Sequence, residues 1–190
     1  GTNADFDIKN LSWPQLLGSG PVTGDVHVRA RSIHVNPILT WWEHLNRPAT
    51  TEAVLLPPGS SLGLHVDSDV LEWDALQCTK LVARTKVSHN RWSIQSAQIQ
   101  GLEGRTHVEG SLGPGRAGWF LTLRGSADDV SLPKLFSTYG NFGQTLIRHD
   151  HLSGAMSTAG TLGMSWDLDG NWHGEEFTAS LQTGINYGRL

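Results

Sequence analysis

The sequence predicts a mostly β, largely antiparallel protein built from repeated units of a strand followed by a short helix. Three observations carry that expectation. Long segments alternate apolar and polar residues with a period of two, as where Trp119, Leu121 and Leu123 share one face and Phe120, Thr122 and Arg124 the other. Turn signals recur about every 10 to 15 residues from Leu62 onward, with no helical pattern between them. A hook phrase, apolar–x–apolar–Pro–x–apolar–apolar, follows the strand at Val130-Ser131-Leu132-Pro133-Lys134-Leu135-Phe136. It recurs at Leu11-Ser12-Trp13-Pro14-Gln15-Leu16-Leu17 and, with one inserted residue, from Ile33 through Pro37 to Leu39. Proline just inside the start of a helix is pre-organised for it, so each hook reads as a strand running into a short helix across the sheet's end.

In chain order, Asp5 to Trp13 alternates across a slip at Asn10, and the first hook ends at Leu17. Gly18-Ser19-Gly20-Pro21 is a loop. Gly24 to Val35 sets Val26, Val28 and Ala30 against His27, Arg29 and Arg31, as expected for a sheet with one wet face. Ile38 to Leu45 continues the second hook with helical spacing, and Arg47 to Gly63 is too irregular for a regular element. Strands then follow closely. Leu62, Leu64 and Val66 alternate, and the pattern resumes through Val70, Leu71 and Trp73. Leu81, Ala83, Thr85 and Val87 form the next strand. Asn90 turns the chain into Trp92 and Ile94, and the shifted phase at Ala97 and Ile99 predicts a bulge near Gln95 or Ser96. Gly101 to Leu112 sets Thr106, Val108 and Gly110 against His107, Glu109 and Ser111, and Gly113-Pro114-Gly115 turns into the strand at Gly118. Beyond His149 the chain is rich in glycine and small residues, with weaker strands expected over Leu152 to Leu162 and Trp166 to Thr183. Three segments result: 1–61 with strand and hook repeats and a loop, 62–145 with the meander and its hook, and 146–190 with glycine-rich strands.

Composition removes several function classes. Charged residues make up 17% of 190 and the net charge is -4, so neither nucleic acid nor an anionic surface meets a strongly basic face. Cys78 is the single cysteine and has no intramolecular disulfide partner. No run of 18 apolar residues occurs, and Gly1 to Asp7 lacks the pattern of a secretory signal. His149-Asp150-His151 offers two imidazoles without an evident third ligand, which favours a solvated loop over a metal site. Asp167-Leu168-Asp169-Gly170-Asn171 echoes the start of a calcium loop, but Thr178 stands where the closing glutamate belongs, so a hairpin turn is expected. No G-x-S-x-G elbow is present, and the glycine-rich stretches do not open helices. No catalytic residue, metal or cofactor is therefore expected.

Leu62 to Leu162 carries a resemblance. The strands Leu81-Val82-Ala83-Arg84-Thr85-Lys86-Val87 and Arg91-Trp92-Ser93-Ile94, the glycine-rich strand Gly104 to Leu112, the strand and hook Leu121 to Phe136, and Asn141-Phe142-Gly143-Gln144 leading to Leu152-Ser153-Gly154 together resemble the C-terminal region of AsmA-like envelope proteins. That family is related to TamB-type and bridge-like lipid-transfer proteins of the Gram-negative envelope. The resemblance implies a twisted, open, taco-like β-groove that carries phospholipid acyl chains through the periplasm, supports outer-membrane biogenesis and meets a membrane at its ends. It also implies envelope protein partners and an inner-membrane anchor outside this sequence.

The strands allow such a groove without requiring it. At about 0.8 kcal/mol per CH₂, exposing a 16-carbon chain to water costs roughly 12 kcal/mol, and an alternating sheet can replace the bilayer on one face. Alternation alone favours the other arrangement, in which the apolar face packs on a second sheet. The resemblance turns the reading to the groove. Its expected lining is Leu64, Val66, Leu81, Ala83, Val87, Trp92, Ile94, Val108, Trp119, Leu121 and Leu123. Two other classes stand beside it: a β-sandwich carbohydrate-binding module, suggested by the eight tryptophans including Trp41-Trp42, and a structural subunit of an envelope assembly.

Overall fold

The computed structural model describes residues 4–9, 20–36, 55–116, 118–168 and 171–189. Their strands form one nine-stranded sheet in sequence order: β1 (Ala4–Lys9), β2 (Thr23–His34), β3 (Ser61–Trp73), β4 (Leu76–Ser88), β5 (Trp92–Gly101), β6 (Gly104–Pro114), β7 (Gly118–Ser131), β8 (Ser153–Asp167) and β9 (Thr178–Arg189). The order ends at β1 and β9, so the sheet is not closed into a barrel. Antiparallel pairing holds between all neighbours except β2 and β3, which run parallel. A parallel pair needs a crossover of a dozen residues or more, and the stretch from His34 to Ser61 supplies the length. Period-two patterning identifies a strand but not the direction of its neighbour.

Two features follow directly from the sequence pattern. The phase slip between Ile94 and Ala97 is a bulge: Arg84 pairs with Ser96 while Thr85 pairs with Ile94, and across the next ladder Ile94 pairs with Gly110 while Ala97 pairs with Val108. One extra residue in β5 keeps Trp92, Ile94, Ala97 and Ile99 on a single face. The hook after β7 is a helix, α1 (Leu132–Thr138), with Ser131 as N-cap accepting from the Lys134 amide and Pro133 in its first turn. Leu132 and the preceding Val130 are buried where the helix folds back.

The structure corrects other expectations. α1 is the one complete hook helix among the described residues. At the second hook the chain leaves β2 at His34 and is helical at Val35 and Asn36; the rest of it, from Pro37 on, and the whole of the first hook, in 10–19, fall outside the described residues. Trp166 to Thr183 is not one strand. Asp167 ends β8, and the chain then turns: the Asp167 carboxylate accepts from both the Asn171 amide and its Nδ2 at 2.8 Å, fixing a bend before β9 starts at Thr178. His149 to His151, expected as a solvated loop, is an exposed 3₁₀ turn, with Arg148 paired to Asp150 at 2.9 Å.

Little of the described chain is buried. The buried apolar residues are Val22, Ala30, Cys78, Val130 and Leu132, and no large side chain is fully enclosed. Most of these sit where a second element crosses a strand end, under α1 or beside the Val22–Ser60 contact, in which the Val22 amide donates to Ser60 Oγ at 2.9 Å. Elsewhere the described strands form a single layer.

Candidate functional site: one apolar sheet face

Directly opposed residues in a sheet point to the same face, so the registers assemble the site strand by strand. One row across the sheet is Leu62, Val87, Trp92, Leu112, Leu121 and Met164. The next is Val26, Leu64, Thr85, Ile94, Gly110, Leu123 and Leu162. Beyond it come Val28, Val66, Ala83, Ala97, Val108 and Gly125, then Ala30, Ser68, Leu81, Ile99, Thr106 and Ala127. Trp119 stands opposite both Pro114 and Trp166 at the end of this face.

All eleven residues expected to line a groove, Leu64, Val66, Leu81, Ala83, Val87, Trp92, Ile94, Val108, Trp119, Leu121 and Leu123, therefore share this one face. Every one of them is half-buried; none is buried and none fully exposed. That is the burial produced by lateral contact with neighbours on a single surface. A covering second sheet would have taken the leucines and valines out of contact with water, as in a sandwich core. The described strands belong to one sheet, and no second sheet is present among them.

The alternation also contained members of the face that the expected lining omitted. Val26, Val28, Leu62, Ile99, Leu112, Leu162, Met164 and Trp166 occupy it too. Ile99 was legible once the bulge was placed, whereas the β8 residues are separated by glycines and threonines that weaken the pattern. Two polar atoms on the face have no partner: Thr85 Oγ1 and Trp92 Nε1 are shielded from water and make no hydrogen bond. An unpaired indole N–H beside an apolar surface costs free energy that a polar ligand atom could recover.

The opposite face is wet. Asp67, Arg84, Lys86, Arg105, Glu109 and Arg124 are all exposed there. Glu109 lies opposite Arg124 across β6 and β7, and the Glu109 carboxylate is 3.2 Å from His107 Nε2. His27 and His65 stack across the parallel pair with ring centroids 4.5 Å apart and planes 9° from parallel. A concavity of about 460 Å³ on this side is lined by Asp25, Ser61, Gly63, His65 and Lys86 among others, so it is a polar hollow and not an acyl-chain site. Among the described residues no group of three or more His, Cys, Asp or Glu side chains could hold a metal ion, and no helix is long and apolar enough to cross a membrane.

Titration is perturbed at few places. Burial pushes the Cys78 thiol up. For Asp150, desolvation is the largest single influence and works against ionisation, but its own backbone N–H, Arg148, His151 and His149 together outweigh it and hold the carboxyl below the usual range. Glu175 is likewise lowered, by its backbone N–H and by the hydrogen bond from His173. Cys78 lies opposite Gly101, two residues along β5 from Ile99, and so shares the apolar face, whereas Asp150 and Glu175 sit in 3₁₀ turns outside the sheet. No family model, curated protein or solved structure matches the chain.

Proposed function

We propose that this chain binds phospholipid acyl chains along its apolar face, as a section of an AsmA-like groove that moves lipid between the inner and outer membranes without making or breaking a bond. The observation that supports the reading best is the coincidence of register and burial: eleven apolar residues from five consecutive strands share one face, and among the described residues no second sheet covers them. Dimensions agree. Nine strands about 4.8 Å apart give a face roughly 38 Å across. One leaflet of a bilayer's hydrocarbon core is only about 15 Å thick, so an extended acyl chain fits in either direction.

The right-handed twist of such a sheet curls a long apolar surface, and curling is what turns a face into a groove. On this reading the hooks cap one rim of the groove. The wet face, carrying Arg84, Lys86 and Glu109, stays in the aqueous periplasm, and the full-length protein is anchored in the inner membrane. A carbohydrate platform is less well supported, because Trp92, Trp119 and Trp166 fall on the apolar face rather than grouping on the wet one.

Native mass spectrometry of the purified chain, followed by lipid extraction, tests the reading. Phospholipid should co-purify at defined stoichiometry, and Leu121→Asp or Ile94→Asp should abolish retention while the wet-face change Lys86→Asp leaves it intact. Circular dichroism of each variant separates lost binding from lost fold. Equal retention in all three folded variants, or a lipid-free wild-type chain, overturns the assignment.

A further inference from the structure

Between β7 and β8 the chain makes an excursion quite unlike its other hairpin turns. It passes through α1, a 3₁₀ turn at Gly140–Gly143 and a second at His149–His151 before β8 begins. At its tip three large apolar side chains stand in water: Tyr139 is 43% exposed, Phe142 57% and Leu146 85%. Leaving such groups exposed is costly, and contiguous exposed apolar groups mark interaction surfaces.

The tip is built, not frayed. The Tyr139 amide donates to Leu135 O, the Phe142 amide to Tyr139 O at 2.9 Å, and the His149 amide to Asn141 Oδ1 at 2.9 Å. Gln144 brackets Ile147, its Nε2 donating to the Ile147 carbonyl while its Oε1 accepts from the Ile147 amide. Asn141 and Phe142 both have φ of 54°, a left-handed conformation that an aromatic residue rarely adopts. That bend sets the Phe142 ring against Tyr139 at 5.6 Å and edge-on to Phe136 at 5.1 Å, so three rings form one rigid wedge. Strained backbone held in place by surrounding bonds is characteristic of functional segments.

We propose that this tip inserts into the surface of a lipid bilayer. Charge distinguishes it from the rest of the molecule. The chain carries a net -4, yet the segment from α1 to Leu152 holds Lys134 and Arg148 against the single carboxylate of Asp150. Arg148 already neutralises that carboxylate through two hydrogen bonds, Nε to Oδ1 at 3.1 Å and a terminal guanidinium nitrogen to Oδ2 at 2.9 Å. An anionic headgroup layer therefore meets no repulsion here. Exposed aromatic rings and an exposed leucine on one loop suit the interfacial zone, where Tyr and Trp settle at headgroup level and apolar side chains reach about 5–10 Å inward. Area favours a bilayer over a protein: three side chains offer on the order of 350 Å², whereas a stable protein interface takes about 800 Å² from each partner. A membrane accepts side chains one at a time.

Insertion of the tip goes beyond occupancy of the sheet face, and the two fail separately. Flotation of the full chain with vesicles of phosphatidylethanolamine and phosphatidylglycerol reads the tip, while co-purified lipid reads the face. Wild-type chain should float. Leu146→Ser should weaken partition about ten-fold or more, and its 85% exposure means that the fold does not depend on it. Phe142→Ser should weaken it further. Leu121→Asp should lose co-purified lipid and still float. Wild-type chain that stays at the bottom, or Leu146→Ser that floats as well as wild type, overturns the proposal. So does a tip-dependent dimer on size exclusion without flotation, which would make the occupant a second copy.

Discussion

Cys78 lies directly opposite Gly101 on the adjoining strand, and its sulfur fills the space a β-carbon at Gly101 would need, 2.7 Å from where that atom would stand. The cysteine is only 3% exposed, so its sulfur has no free direction in which to retreat. Gly101→Ala should destabilise the chain by about 1–3 kcal/mol, the usual range for overpacking. Adding Cys78→Ala should return part of that loss, because the sulfur is the atom in the way. Thermal melts of the two single variants and the double variant measure the coupling; strictly additive effects would show that the contact carries no energy.

The same burial gives the thiol a pH signature. Its pKa is raised in the folded chain, so above the unfolded value of about 8.5 the unfolded state ionises while the folded state keeps its proton. The stabilising contribution is intact below that value and is lost as pH rises toward the raised folded pKa. Wild type should therefore lose stability between neutral and alkaline pH more steeply than Cys78→Ala, compared by denaturant titration at each pH. In native buffer the thiol should react with an alkylating reagent far more slowly than in denaturant.

The turn joining β5 to β6 is Leu102-Glu103, and both residues have positive φ, 52° and 66°. Two-residue hairpins of this geometry favour Asn-Gly, because glycine and asparagine enter the left-handed region cheaply. Glu103→Gly should stabilise the chain by about 0.5–1 kcal/mol. Leu102→Asn should add to the effect while preserving the Leu102 carbonyl as acceptor for the Ser131 amide at 2.9 Å. An unchanged denaturation midpoint in both variants would count against strain in the turn.

β9 is an edge with little protection. From Thr178 to Gly188 it carries neither charge nor proline, and Leu181 and Ile185 are 72% and 61% exposed. Unpaired, uncharged edge strands pair with other chains. Light scattering should show concentration-dependent association that Thr183→Lys suppresses with little change in melting temperature.

Much of this sheet was readable because one layer obeys one period. With no second sheet among the described residues to make a strand apolar on both sides, wet residues such as Arg84 and Lys86 interrupt the apolar ones regularly, and even the β5 bulge betrays itself as a phase slip at Ala97. The same eleven residues that the pattern grouped are grouped by the registers. What escaped was whatever local period does not encode. The direction of β3 relative to β2 depends on a long connection, not on the residues of either strand. The Leu102-Glu103 turn lacks the usual residue signal. The tip was hidden because Phe142 and Leu146 follow no period at all; the loop is held instead by the Ile147 and His149 amides donating to the side-chain oxygens of Gln144 and Asn141.

The parallel seam between β2 and β3 bears on how the molecule comes together. From β3 to β9 each strand folds onto the one just made, so those seven can close as a zipper of local contacts, which is fast. β1 and β2 form a separate antiparallel pair. The seam has the longest connection between paired strands, from His34 to Ser61, and joins two pieces that each form by themselves. Loop closure is paid there before any contact rewards it. Docking of the β1–β2 pair is accordingly the late event in assembly and the early one in opening, and amide exchange along β2 should outpace that in β4 to β7.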